Sequence, residues 1–261
     1  MKLPIYQADA FTDHQFGGNP AAVVPLEEWL SDKQMQNIAA ENNLSETAFF
    51  VEEGDGYRLR WFTPAVEVDL CGHATLAAGH ILFEELGYDK NEVIFKTRSG
   101  LLTVKKEGGR LSMNFPAVHP EQAEGPAILF QALGIERTSD VYKSDDYMVV
   151  LDSEEEVASL QPDFRMLNEV DARGIIVTAP GDEVDFVSRF FAPQSGIDED
   201  PVTGSAHTKT APYWSQKLKK EELEARQISK RVGNLTCRMK GDRAEILGKA
   251  VTYLKGEIIL G

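Results

Sequence analysis

A chain of 261 residues, 42% hydrophobic and 26% charged, has the composition of a globular protein with room for two modest domains. Its net charge of −15 excludes a nucleic-acid footprint, which needs basic surface, and an anionic membrane face. Cys71 and Cys237 make no disulfide framework, residues 1–7 lack the apolar run of a signal peptide, and no stretch approaches a membrane span, so a cytoplasmic protein is expected.

In chain order, residues 3–10 read as an opening strand, followed by loop punctuation at Gly17, Gly18, Asn19 and Pro20 and a short apolar strand over 21–24. Residues 31–42 read as a helix capped by Ser31, with Met35, Ile38 and Ala39 as its apolar stripe. Strands are expected over 47–52 and 57–62. The segment 74–86 is apolar on nearly every face, so it reads as a buried central helix, with Gly87 where a C-terminal cap belongs. Three strands follow over 93–95, 101–105 and 111–115, and the Pro- and acid-rich stretch 116–125 marks a lobe boundary. The second half offers strands over 147–151, 174–178 and 184–191, a helix over 205–218, and strands across 228–260. The charged runs at Asp182, Glu183 and Asp185 and over 219–224 read as solvated faces.

The halves resemble each other. Arg60-Trp61-Phe62-Thr63-Pro64 recurs as Arg189-Phe190-Phe191-Ala192-Pro193, and Gly72-His73-Ala74 recurs as Gly204-Ser205-Ala206. Further on, Gly100, Leu102 and Thr103 match Gly233, Leu235 and Thr236. An internal repeat of this length implies two similar lobes, 1–116 completed by 250–261, and 117–249, with a site expected in the cleft between them.

In each half a glycine precedes the first turn of a helix and a polar residue follows it. Helix starts offer unpaired N–H groups and partial positive charge, so Gly72 and Gly204 either let a carboxylate approach the backbone or merely allow tight packing. In register Cys71 faces Thr203 and His73 faces Ser205. Thr203 is no acid or base near neutral pH, which argues against a symmetric two-thiol epimerase. His73 is either a cap or a proton carrier that Asp200 orients, and Cys71 either a small buried thiol or a base. Glu46, flanked by apolar Ala48, Phe49 and Phe50, is either a surface residue opening a strand or a desolvated carboxyl of raised pKa. Asp69, Cys71 and His73 are metal-ligand types, but no second Cys/His cluster completes a tetrahedral set, so no metal is expected. No G-x-G-x-x-G or phosphate-loop lysine points to a nucleotide. His14, His80, His119 and His207 carry no functional expectation.

The motifs Asp9-Ala10-Phe11-Thr12, Gly18-Asn19-Pro20-Ala21-Ala22-Val23, Leu44-Ser45-Glu46-Thr47-Ala48-Phe49, Phe62-Thr63-Pro64, Leu70-Cys71-Gly72-His73-Ala74-Thr75 and Glu199-Asp200-Pro201-Val202-Thr203-Gly204-Ser205-Ala206 together resemble the PhzF family. The resemblance implies the diaminopimelate epimerase-like α/β (α+β) fold: two pseudo-symmetric lobes, each a curved mixed β-sheet wrapped around a central α-helix. It implies a cofactor-independent, metal-free isomerase of a small anionic carboxylate, with homodimers common. By motif position Glu46 would shuttle the proton, with His73, Asp200 and Ser205 completing the catalytic set. Asn19, Cys71, Gly72, Thr203 and Gly204 would bind substrate. Cys71, which stands where the phenazine enzyme has alanine, and the polar stretch after Ser205 with Pro212 as a possible kink both set this chain apart, so the phenazine precursor is not assumed. A one-thiol epimerase using Cys71, and a non-catalytic small-molecule-binding protein on the same fold, remain alternatives.

Overall fold

The computed structural model describes residues 1–136 and 140–261. Its elements in chain order are β1 (Lys2–Ala10), β2 (Asn19–Leu26), α1 (Asp32–Asn42), β3 (Glu46–Glu53), β4 (Gly56–Phe62), β5 (Glu67–Val68), α2 (Gly72–Glu84), β6 (Glu92–Thr97), β7 (Gly100–Glu107) and β8 (Arg110–Pro116). There follow β9 (Glu121–Gln122), α3 (Ala127–Leu133), β10 (Val141–Lys143), β11 (Tyr147–Val150), α4 (Glu154–Ser159), α5 (Phe164–Leu167), β12 (Ile175–Pro180), β13 (Phe186–Ala192) and β14 (Ile197–Asp200). The last are α6 (Gly204–Leu218), β15 (Glu222–Gln227), β16 (Gly233–Lys240), β17 (Arg243–Gly248) and β18 (Ala250–Ile259). The chain divides into two compact units, Met1–Phe115 with Glu245–Gly261, and Pro116–Ala244.

In the first unit β2 and β3 run parallel, β3 and β4 antiparallel, β4 and β6 parallel, and β6 and β7 antiparallel. β1 lies antiparallel to both β2 and β18. Ser31 caps α1 through a reciprocal capping box with Gln34, as its sequence leads one to expect. Helix α2 is buried from His73 to Gly79 and again from Ile81 to Phe83, because no charge falls on it before Glu84. Gly79 allows it to sit this close to the sheet: a Cβ there would lie 2.7 Å from Cγ1 of Val104 on β7. Gly87 does adopt the left-handed conformation (φ 70°), but helical pairing stops at Glu84. The amides of Leu86 and Tyr88 turn back to the carbonyls of Ile81 and Leu82, which tightens the last turn.

The second unit uses the same run of pairings. β11 and β12 are parallel, β12 and β13 antiparallel, β13 and β15 parallel, and β15 and β16 antiparallel. The repeated arginines have the same task in each. Arg60 makes a two-pronged ion pair with Glu67 (2.7 and 2.8 Å) and lies over the Phe62 ring. Arg189 does the same with Glu199 (2.7 and 2.9 Å) and Phe191. Each pair is largely shielded from water and fastens a hairpin, β4 to β5 and β13 to β14.

Two features depart from the sequence reading. The charged run ending at Glu224 is not simply a solvated face, because β15 starts at Glu222 and alternates, burying Leu223, Ala225 and Gln227. Helix α6 is buried despite its polar residues, which find partners: Thr208 and Thr210 donate to the carbonyls of Ser205 and Ala206, and Lys209 meets Asp146 at 2.5 Å. Pro212 stands inside this helix. It has no N–H for the carbonyl of Thr208 one turn back, and that carbonyl instead accepts from Val118 at 3.0 Å. Among the described residues no helix is long and apolar enough to cross a membrane.

The contact of α2 with β7 gives a direct test. Gly79→Ala is expected to lower stability by about 1–3 kcal/mol through overpacking. Combined with Val104→Ala it should cost less than the two single changes added together, read from urea midpoints.

Candidate active site

Four of the residues singled out from sequence come together in the first unit. Asn19 opens β2, Glu46 opens β3 beside Ala21 of that strand, Cys71 caps α2 and His73 is its second residue. Cys71 holds an extended conformation (φ −144°, ψ 109°) with no side-chain cap bond, so its side chain is not spent on the helix start. Asn19, Cys71 and His73 are buried, and only 12% of the Glu46 side chain meets solvent.

Nε2 of His73 lies 3.1 Å from Oε2 of Glu46. The ring N–H is not well aligned on that oxygen, which is buried without a hydrogen-bond partner. The contact is therefore one of charge rather than a directed hydrogen bond. On the other side of the ring, the Asn19 amide is 3.1 Å and the Cys71 sulfur 3.6 Å from Nδ1. An amide can offer that nitrogen a donor when the ring is neutral or an acceptor when it is an imidazolium.

Burial penalises the charged form of His73. The Cys71 sulfur and the Glu46 carboxylate outweigh that cost and hold the imidazole well above its ordinary 6.5. Cys71 is itself pushed up to about 11, by burial first and then by the Glu46 charge. Near neutrality it is thus a neutral thiol that meets the imidazole through its sulfur, with the Glu46 carboxylate on the other side of the ring.

The ligand atoms of Glu46, Cys71 and His73 lie within 4.8 Å of one another. Asp69, considered with Cys71 and His73 from sequence, is not in this group; its side chain is 74% exposed and faces Arg98. A metal would have to displace protons that both Cys71 and His73 hold firmly, which makes the trio a poor cation site near neutral pH.

Gly72 begins α2 between Cys71 and His73, and the remaining selected residues form a second group, in the second unit. Thr203 caps α6 in an extended conformation, Gly204 and Ser205 begin that helix, and Asp200 ends β14. The Thr203 hydroxyl donates to Oδ2 of Asp200 at 2.5 Å. Gln227 accepts from the Thr203 amide (2.8 Å) and donates to the Asp200 carbonyl (2.7 Å), so it pins the entry to α6 from β15. Ser205 lies 3.3 Å from both terminal nitrogens of Arg173. Sequence reasoning did not find Gln227 or Arg173. Gln227 lies between the charged run 219–224 and the strands expected from 228, and Arg173 sits one residue before Gly174, near the place that corresponds to Glu46.

Residues 8–256 match the model of the family described as phenazine biosynthesis-like protein, PhzC–PhzF. The chain is 53% identical over 260 residues to an uncharacterized isomerase of Pseudomonas aeruginosa, covering all of both chains. It superposes on the crystal structure of a phenazine biosynthesis protein of the PhzF family from Enterococcus faecalis with a TM-score of 0.97, at 48% identity and full coverage of both. A predicted epimerase from Pseudomonas aeruginosa, 20% identical over 99% of this chain and all of that one, aligns with a TM-score of 0.77, a likeness of fold alone.

A raised imidazole contributes stability that is fully present below 6.5 and is lost as pH climbs through the folded-state value. In an NMR titration the ring protons of His73 should change well above pH 6.5 in the wild type, and at clearly lower pH in Glu46→Gln. An unchanged midpoint in that variant would show that the carboxylate does not hold the proton.

Proposed function

Because the chain belongs to the phenazine biosynthesis-like PhzC–PhzF family, we propose that it is a cofactor-independent isomerase that moves a proton between carbons of a small unsaturated or amino carboxylate. The observation that carries this reading is the nearly buried Glu46 carboxylate, 3.1 Å from the His73 imidazole. A carboxylate with one oxygen free of hydrogen bonds can take a proton from carbon. Once Glu46 is protonated, the charge that held the proton on His73 is gone, so the pair favours giving a proton back, at the same carbon or at another. In this reading Glu46 is the base and His73 its charge partner and donor, while Asn19, Cys71 and Gly72 line the substrate.

We assign Asp200 and Ser205 substrate-placing roles, with Thr203 and Gly204 shaping the start of α6. Their substitution should then raise KM more than it lowers kcat.

The second reading, an epimerase with Cys71 as one base, meets an obstacle in that thiol. Titrating at about 11, it has little thiolate to offer near neutrality.

One experiment separates the two. Purified protein is incubated with a panel of unsaturated and amino carboxylates in deuterated water, and label uptake is followed by mass spectrometry. Glu46→Gln should reduce exchange by at least about 100-fold, the scale of general-base catalysis, and Cys71→Ala should retain most of it. Full exchange in Glu46→Gln would overturn the proposal, and loss confined to Cys71→Ala would favour the epimerase.

A further inference from the structure

Strand β18 has an edge that the fold of the first unit does not use. It pairs with β1 from Ala250 to Ile259. A single residue, Lys249, separates it from β17, too short a link for those two strands to turn back on each other. Among the described residues no strand lies beside its other edge, and residues 253–257 and Ile259 are exposed.

The end of the β1–β18 ladder fixes which backbone groups point outward. The Met1 ammonium donates to the Leu260 carbonyl at 2.7 Å, and the Leu260 amide donates to the Met1 carbonyl at 2.9 Å. Bonding alternates along an antiparallel pair, so Ile258 and Gly256 also turn their backbone groups to β1. Those of Lys255, Glu257 and Ile259 face away from it.

Such an edge is a template for another strand, and proteins ordinarily blunt it with charge, proline or a covering segment. Strand β18 has no proline, and it exposes Tyr253, Leu254 and Ile259. Phe16, itself 69% exposed, packs edge-on against Tyr253 at 5.7 Å and widens that end of the strip.

The order of residues makes the strand complementary to itself. About a two-fold axis through Gly256, an antiparallel second β18 sets Lys255 opposite Glu257, Leu254 opposite Ile258 and Tyr253 opposite Ile259, each pair occurring twice. Centred on Lys255 or on Glu257 instead, the same pairing puts like charges face to face on the axis. The existing partners of these charges do not tie them down. Lys255 pairs with Glu85, and Glu257 with Lys2 at 2.8 Å, but Lys255 and Glu257 are 59% and 57% exposed, where an ion pair is worth little.

We propose that β18 is the docking edge for a second copy of this chain, the two strands pairing antiparallel about Gly256 so that the first units of both protomers share one continuous sheet. Lys255 of each protomer then exchanges backbone hydrogen bonds with Glu257 of the partner subunit. The proposal does not depend on the proton chemistry at Glu46, and its test involves no turnover.

Sedimentation velocity across a series of protein concentrations reads the dimer dissociation constant. Lys255→Glu and Glu257→Lys should each weaken the dimer by at least about five-fold, because each sets like charges opposite one another twice. The two changes combined should recover most of the wild-type affinity. That recovery separates the interface from the pairs within the chain: toward Glu85 and Lys2 both reversals are unfavourable, so a purely intrachain role makes the double variant the worst of the three. The wild type gives a second reading by NMR. Deuterium exchange at the outward amide of Glu257 should slow as concentration rises through the dimerisation midpoint, and by more than at Gly256, whose amide is already bonded to β1. A wild type that stays monomeric throughout the series, a dimer indifferent to both single changes, or a double variant no better than the singles overturns the proposal.

Discussion

A carboxylate held against an imidazole where almost no water reaches them is the constraint on which the rest of this molecule's chemistry depends. The charge on Glu46 helps to hold the proton on His73. Because Cys71 is kept as a neutral thiol by the same burial and the same negative charge, it joins the group as a polarizable wall rather than as a third ionised partner. The architecture serves this contact. β3 begins at Glu46 and α2 begins one residue before His73, which brings the two side chains together where little water reaches them.

The main lines of the fold were legible in the sequence because they follow from local pattern. The capping box of Ser31 and Gln34 and the largely apolar run of α2 need no knowledge of distant partners. Local pattern left Glu46, His73 and Cys71 each between two readings, and the family resemblance singled them out. The side chains of the second unit resisted for the opposite reason. Lys209 and Asp146 are far apart in sequence and each looks like surface by type; only their mutual contact explains their burial. Gln227 was hidden by composition, since strand β15 alternates charged and buried positions and its charges dominate a short window.

Parallels between the two units reach individual side chains. An arginine–glutamate clamp stands in each, with an aromatic ring beneath each guanidinium. Around the helix starts the units diverge: thiol, imidazole and carboxylate in one, and hydroxyls, a carboxylate and a braced guanidinium in the other. The shared parts are those that hold hairpins and helices, and the differing parts are those with chemical capacity. Mechanism therefore has to be sought in what one unit has and its counterpart lacks.

The strand β18 has a consequence for how the chain reaches this structure. β1 is synthesised before the second unit and β18 after it, yet the two pair from Lys2 opposite Ile259 to Ala10 opposite Ala250. The second unit, by contrast, is one continuous stretch of chain. During synthesis the part encoded later can close its core while the part encoded first still waits with an open sheet edge. A chaperone that shields β1 in that interval would be guarding the same sheet that later carries Asn19 and Glu46.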